Sequence, residues 1–206
     1  MSDQETTQLY LITPTDAELS FYSETLAPLL DRFPMACVRL GLVSDDESII
    51  GRHADQMREA AHARDVSAVI TMHYRMVEAL GLDGVHRVDA AKSLREIRDE
   101  LGADAIIGTH CGTSRHAGMN AGEIGADYVC FGPVTQSALG DGAIAEFDDF
   151  EWWSQMVELP VIAEGNLTLD AAEKIAPVAD FIALGAELWN TEDSSKTLAD
   201  YMARIT

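Results

Sequence analysis

Gly81-Leu82-Asp83-Gly84-Val85, Gly102-Ala103-Asp104-Ala105-Ile106-Ile107, Gly125-Ala126-Asp127-Tyr128-Val129-Cys130-Phe131 and Val178-Ala179-Asp180-Phe181-Ile182-Ala183-Leu184 decide the fold. Each opens at the end of a helix-like stretch and runs at once into apolar residues. A glycine there supplies the left-handed cap that stops a helix. A short apolar run after it reads as a strand covered on both faces, as in a parallel sheet. The aspartates 83, 104, 127 and 180 stand 21, 23 and 53 residues apart, and the last gap holds two units. A strand-helix unit repeated at that period predicts a parallel barrel, with its chemistry at the C-terminal ends of the strands.

Working outward, eight units can be laid down. The strands are expected at Leu9–Thr13, Ala36–Leu40, Ala68–Met72, Asp83–His86, Ala105–Gly108, Tyr128–Phe131, Pro160–Ala163 and Phe181–Leu184. The helices between and after them are expected at Asp16–Phe33, Glu47–Arg64, Arg75–Leu80, Ala91–Leu101, Arg115–Ile124, Phe147–Val157, Thr168–Ala176 and Ser194–Ile205. No linker or low-complexity segment interrupts the series, so residues 1–206 form one domain. A doubly wound open sheet is the rival. Eight regular units without a second domain favour a closed (β/α)8 TIM barrel.

Composition narrows the function. With 206 residues, 47% of them hydrophobic, the chain can bury a sizeable core. Its net charge is −21, from 35 acids against 14 bases, which argues against nucleic acid or an anionic membrane as partner. No apolar run of about 18 residues suggests a membrane span. The acidic start, Met1-Ser2-Asp3-Gln4-Glu5, lacks the basic and apolar regions of a signal peptide, so a cytoplasmic location is expected. Cys37, Cys111 and Cys130 are odd in number and read as reduced core residues. Trp152 and Trp153 read as packing of the sixth helix.

The strand ends carry a different balance. His73, His86, His110 and His116 fall there, with Arg39, Arg75, Arg87 and Arg115. Such a zone suits a small anionic ligand. If His73, His86 and His110 meet, three imidazoles could hold zinc with one open position. His110 alone could act as a general acid/base, with Cys111 beside it as a nucleophile or an inert thiol. Arg39 could grip a phosphate or pair with Asp45 or Glu164.

Several motifs resemble one family, the thiamine phosphate synthases and their TenI-like relatives. They are Leu9-Tyr10-Leu11-Ile12-Thr13, Asp83-Gly84-Val85-His86, Ser114-Arg115-His116, Gly122-Glu123-Ile124-Gly125-Ala126-Asp127-Tyr128-Val129, Phe131-Gly132-Pro133, Trp152-Trp153, and Pro160-Val161-Ile162-Ala163 with Gly165. The resemblance implies a barrel and the coupling of an aminopyrimidine diphosphate to a thiazole phosphate, with release of diphosphate and with magnesium. It implies no organic cofactor and a small phosphorylated substrate; a homo-oligomer is left open. It places Arg39, His86, Ser137, Gly165, Asn166, Gly185 and Ala186 at the substrate phosphates, Asp89 at magnesium, and His110 or His116 as the catalytic histidine of a TenI-like site.

The chain departs from the family pattern at the second, third, sixth, seventh and eighth strands. Arg39, Gly41 and Val43 stand where the family has Gln, Arg and Lys, and Thr71-Met72 where it has Asn-Asp. Ser137-Ala138-Leu139-Gly140 replaces a Thr-x-Thr-Lys loop. Glu164-Gly165-Asn166-Leu167 replaces Ile-Gly-Gly-Ile, and Gly185-Ala186-Glu187 stands where a serine is usual. The alternatives to the family transferase are therefore a TenI-like tautomerase that needs no diphosphate site, and a non-catalytic binder of a phosphorylated intermediate.

Overall fold

Apolar runs of three to five residues alternate with amphipathic segments throughout the chain, and each becomes one layer of a barrel. The computed structural model describes residues 6–89, 93–136 and 142–205. Its strands are β1 (Gln8–Ile12), β2 (Cys37–Leu40), β3 (Ser67–Thr71), β4 (Gly84–Arg87), β5 (Ile106–His110), β6 (Tyr128–Phe131), β7 (Val161–Ala163) and β8 (Phe181–Leu184). They pair in parallel in chain order, and β8 closes on β1. The closed TIM barrel is the fold read from the sequence; the open sheet is excluded.

The helices are α1 (Ala27–Arg32), α2 (Glu47–His62), α3 (Val77–Leu80), α4 (Leu94–Leu101), α5 (Arg115–Ile124), α6 (Phe147–Met156), α7 (Leu169–Ile175), α8 (Ala186–Trp189) and α9 (Ser194–Ile205). Asp46, Ser114 and Thr168 cap α2, α5 and α7 with side-chain oxygens. Three expectations need correction. The first helical stretch does not begin at Asp16, because the Thr15 carbonyl accepts the Val43 N–H and holds the chain in a loop. A π turn at Tyr22–Leu26 then leads into α1. β5 runs on to His110, and α8, a single turn after β8, was not foreseen.

Three of the four recurring aspartates have a structural role. Asp83, just before β4, accepts the Ala68 N–H of β3 at 2.6 Å. Asp127, before β6, accepts the Ile107 N–H of β5 at 2.7 Å. Asp180, before β8, accepts the Val161 N–H of β7 at 2.7 Å. Each carboxylate thus clasps the start of the preceding strand, where a backbone donor would otherwise lack a ladder partner.

Strand alternation divides the apolar residues into two cores. Leu9, Leu11, Val38, Leu40, Val85, Val129 and Phe131 belong to the larger one, with the helices. Trp153 is fully buried there, edge-on to Phe131 with ring centroids 5.0 Å apart. Trp152 is half-buried beneath the Arg115 guanidinium. The smaller core, inside the barrel, comprises Tyr10, Cys37, Val69, Tyr128, Cys130, Ile162 and Ala183. Gly108 makes room for it: a Cβ there would lie 1.9 Å from the Tyr128 ring.

Candidate active site at the barrel mouth

The same alternation that sends Tyr128 and Ile162 inward sends His110, Cys130 and Glu164 inward near the C-terminal ends of β5, β6 and β7. His110 and Cys130 are register partners on neighbouring strands, and so are Cys130 and Ile162. Glu164 follows two residues after Ile162 and therefore faces the same way. From the opposite wall, Arg39 reaches across. Its Nη1 donates to Glu164 Oε2 at 3.0 Å and its Nη2 to Oε1 at 2.5 Å. Cys130 Sγ also donates to Oε2, at 3.1 Å. Burial pushes the Glu164 carboxyl up, but the charge and hydrogen bonds of Arg39 outweigh it and hold the group below the usual carboxylate range. Arg39 therefore adopts the pairing with Glu164 rather than that with Asp45.

His86 is fully buried one layer below. Its Nδ1 lies 3.0 Å from the Tyr128 hydroxyl, which lies 3.0 Å from that of Tyr10. Burial, and then Arg39, lower the His86 pKa well below its ordinary value, so the ring is neutral. His110 is 8% exposed, and among the described residues neither of its ring nitrogens has a hydrogen-bond partner. Burial lowers its pKa as well.

The other residues singled out by sequence are arranged differently. His73 is only half-buried at the end of β3. Among the described residues, one set of three metal-type side chains brings its ligand atoms within 4.8 Å of one another. That set is His110, Cys130 and Glu164, not the three histidines. His116 stands exposed in the first turn of α5, its Nε2 3.2 Å from the Asn120 amide nitrogen. The Cys111 thiol is buried and pushed up to about 12, so at neutral pH it is protonated and a poor nucleophile. Ser137 lies outside the described residues.

Asp89 is bound by Arg87 through hydrogen bonds of 3.0 and 2.7 Å. Met72, in a left-handed conformation with φ 67°, turns its sulfur to the Val88 N–H. A thioether at one position and a single carboxylate at the other do not supply the oxygen ligands in octahedral array that a resident magnesium ion requires.

Gly165 and Asn166 follow β7 with φ of 100° and 54°, which turns the loop sharply. Asn166 is exposed and donates from its amide to the Gln136 carbonyl at 2.9 Å. Gly185 is buried and Ala186 exposed at the start of α8. Glu187 turns back towards this pair of loops and accepts the Leu167 N–H at 3.3 Å. Burial raises its pKa, against the pull of the N–H groups of Glu187 itself, Gly185 and Leu167. A carboxylate of the chain thus occupies the backbone donors that an external anion would use. α8 turns Glu187 towards the loops, where its charge would oppose a phosphate. Cys130 was read only as core; its register with His110 was the available signal.

A closed barrel with its buried ionisable groups gathered at the C-terminal mouth belongs to the TIM-barrel proteins whose sites lie at that end. The family model described as thiamine monophosphate synthase matches residues 9–188. The chain is 37% identical over 185 residues to a thiamine-phosphate synthase of Rhodospirillum centenum, covering 89% of each. It is 35% identical over 199 residues to one of Erythrobacter litoralis, covering 94% of this chain and 93% of that one. Among solved structures, thiamine phosphate pyrophosphorylase from Pyrococcus furiosus superposes with a TM-score of 0.84 at 18% identity, covering 98% of this chain and 96% of the other. The chain belongs to the thiamine monophosphate synthase family, a family of thiamine biosynthesis, as its motifs implied.

Proposed function

We propose that the protein catalyses the family reaction at this mouth, joining an aminopyrimidine diphosphate to a thiazole phosphate and releasing diphosphate. The observation that carries the reading is the likeness along nine-tenths of both chains to proteins named thiamine-phosphate synthase. The reaction forms a carbon–nitrogen bond and breaks a carbon–oxygen bond. It asks the protein to align two substrates and to neutralise the departing diphosphate. Gly165, Asn166, Gly185 and Ala186 would offer backbone donors to the thiazole phosphate once Glu187 swings aside. Among the described residues, Arg39 and Arg87 are the buried arginines at the mouth, each held by a carboxylate. Neutralising the leaving group through either requires its ion pair to open towards the substrate. Met72 and a single carboxylate at Asp89 do not fit magnesium, so the departing charge falls to these arginines. The site is one for small phosphorylated molecules rather than nucleic acid. No helix among the described residues is long and apolar enough to cross a membrane.

A second reading has one observation in its favour. Both His110 ring nitrogens are buried and without partners among the described residues, which suits a group that exchanges a proton with a ligand. That is the requirement of a TenI-like tautomerase. Three assays on the same purified protein separate the readings: formation of thiamine phosphate from the two substrates, solvent-proton exchange into the thiazole phosphate, and thermal stabilisation by each ligand. Thiamine phosphate supports the transferase. Exchange without coupling supports the tautomerase. Stabilisation with neither leaves a binder and overturns both.

A further inference from the structure

The geometry points to a zinc site at the barrel mouth, made by His110, Cys130 and Glu164, with a fourth position open to water or to an anionic oxygen of the ligand. The three side chains converge from three consecutive strands, β5, β6 and the end of β7. Their ligand atoms lie within 4.8 Å of one another, and all three residues are buried. A nitrogen, a sulfur and an oxygen are a donor set that suits zinc, a borderline-soft ion that takes three protein ligands where it keeps one position free.

The independent observation is His110. A buried imidazole usually satisfies at least one nitrogen, yet here neither has a partner among the described residues. Its 8% exposure leaves little access to solvent as a substitute.

The contact between Cys130 and Glu164 also suits an ion. The Sγ–H donates to Oε2 at 3.1 Å, so one proton already bridges these two ligand atoms. A tetrahedral zinc with a sulfur at about 2.3 Å and an oxygen at about 2.1 Å would set them about 3.6 Å apart. The ion can therefore replace the thiol proton, which leaves to solvent, with an opening of about half an ångström. Arg39 need not depart. Its Nη2 holds Oε1 and its Nη1 holds Oε2, so the zinc would take the Oε2 lone pair that the Cys130 thiol proton now uses, while Arg39 orients the carboxylate as hydrogen-bonded ligands are oriented in metal sites. Thiolate and carboxylate together offset the dication. The remaining arginine charge favours an anion at the open position.

The test uses the full-length protein freed of metal with a chelator and then titrated with zinc or cobalt. One equivalent should bind, and the cobalt form should show a sulfur-to-metal charge-transfer band. X-ray absorption of the zinc form should give one sulfur among nitrogen and oxygen neighbours, a result that needs no variant. Cys130→Ser and His110→Ala should each weaken binding by at least about 100-fold while circular dichroism stays that of a folded barrel. A zinc shell of only nitrogen and oxygen, no bound equivalent, or affinity unchanged in both variants would overturn the site. None of these readouts depends on thiamine phosphate formation, so the failure of one proposal leaves the other standing.

Discussion

Arg39 and Glu164 join opposite sides of the barrel mouth through two hydrogen bonds of 3.0 and 2.5 Å, with both residues almost wholly buried. This pair neutralises Arg39 before any substrate arrives. Removing one partner strands a charge where water cannot reach it. Arg39→Met should therefore cost about 3–5 kcal/mol, and Arg39→Met/Glu164→Met should recover most of that loss. Urea denaturation of the two variants decides the point. A loss below about 1 kcal/mol in the single variant would mean that the pair is not formed in solution.

Glu187 makes a pH-dependent prediction. Burial raises its pKa, so the folded protein holds this proton more tightly than the unfolded chain. The stability it contributes is complete below the ordinary glutamate value of about 4.3 and is lost as pH rises through the raised one. Glu187→Gln should match the wild type in melting temperature at low pH and gain on it across that window, keeping the lead at neutral pH. The amide also carries no charge to oppose a phosphate, so the variant should bind thiazole phosphate more tightly. Parallel pH profiles for the two proteins would remove Glu187 from the account.

His110 can be tested by separating turnover from binding. If it moves a proton, His110→Asn should lower kcat about 100-fold or more while KM changes little. Equal turnover in wild type and variant excludes it from proton transfer. A pure rise in KM would assign it to ligand binding.

The aspartate clasps predict stability without function. Asp180→Ala leaves the Val161 N–H without its acceptor and should cost about 1–3 kcal/mol. It should leave ligand affinity unchanged, because the bond lies at the opposite end of the barrel from the mouth. A thermal melt with and without thiazole phosphate reads both quantities.

Much of the barrel was legible because its signals are local. Gly81, Gly102 and Gly125 end helices with positive φ, as their place before aspartate and an apolar run indicates. β6 and β8 lie where the apolar runs lie. The mouth was legible only in part, because its contacts are set by register. Arg39 meets Glu164 across 125 positions of sequence, a pairing that no window along the chain displays. His86 carries the family motif but is engaged with Tyr128. Asp89 was the natural carboxylate for a metal, yet the neighbouring Arg87 claims it. His110 was read at the end of the fifth strand or just past it, and two further residues of β5 made it a wall of the site.

The clasps also say where the chain can be cut. They join β3 to β4, β5 to β6 and β7 to β8, so the wall counts in pairs, with seams between β2 and β3, β4 and β5, and β6 and β7. Fragments separated at a seam keep every clasp within one piece of chain. Fragments separated inside a pair must find each other before the carboxylate can meet its backbone donor. New termini introduced between β4 and β5 should therefore refold faster than termini placed between β5 and β6, although the finished barrels would contain the same bonds.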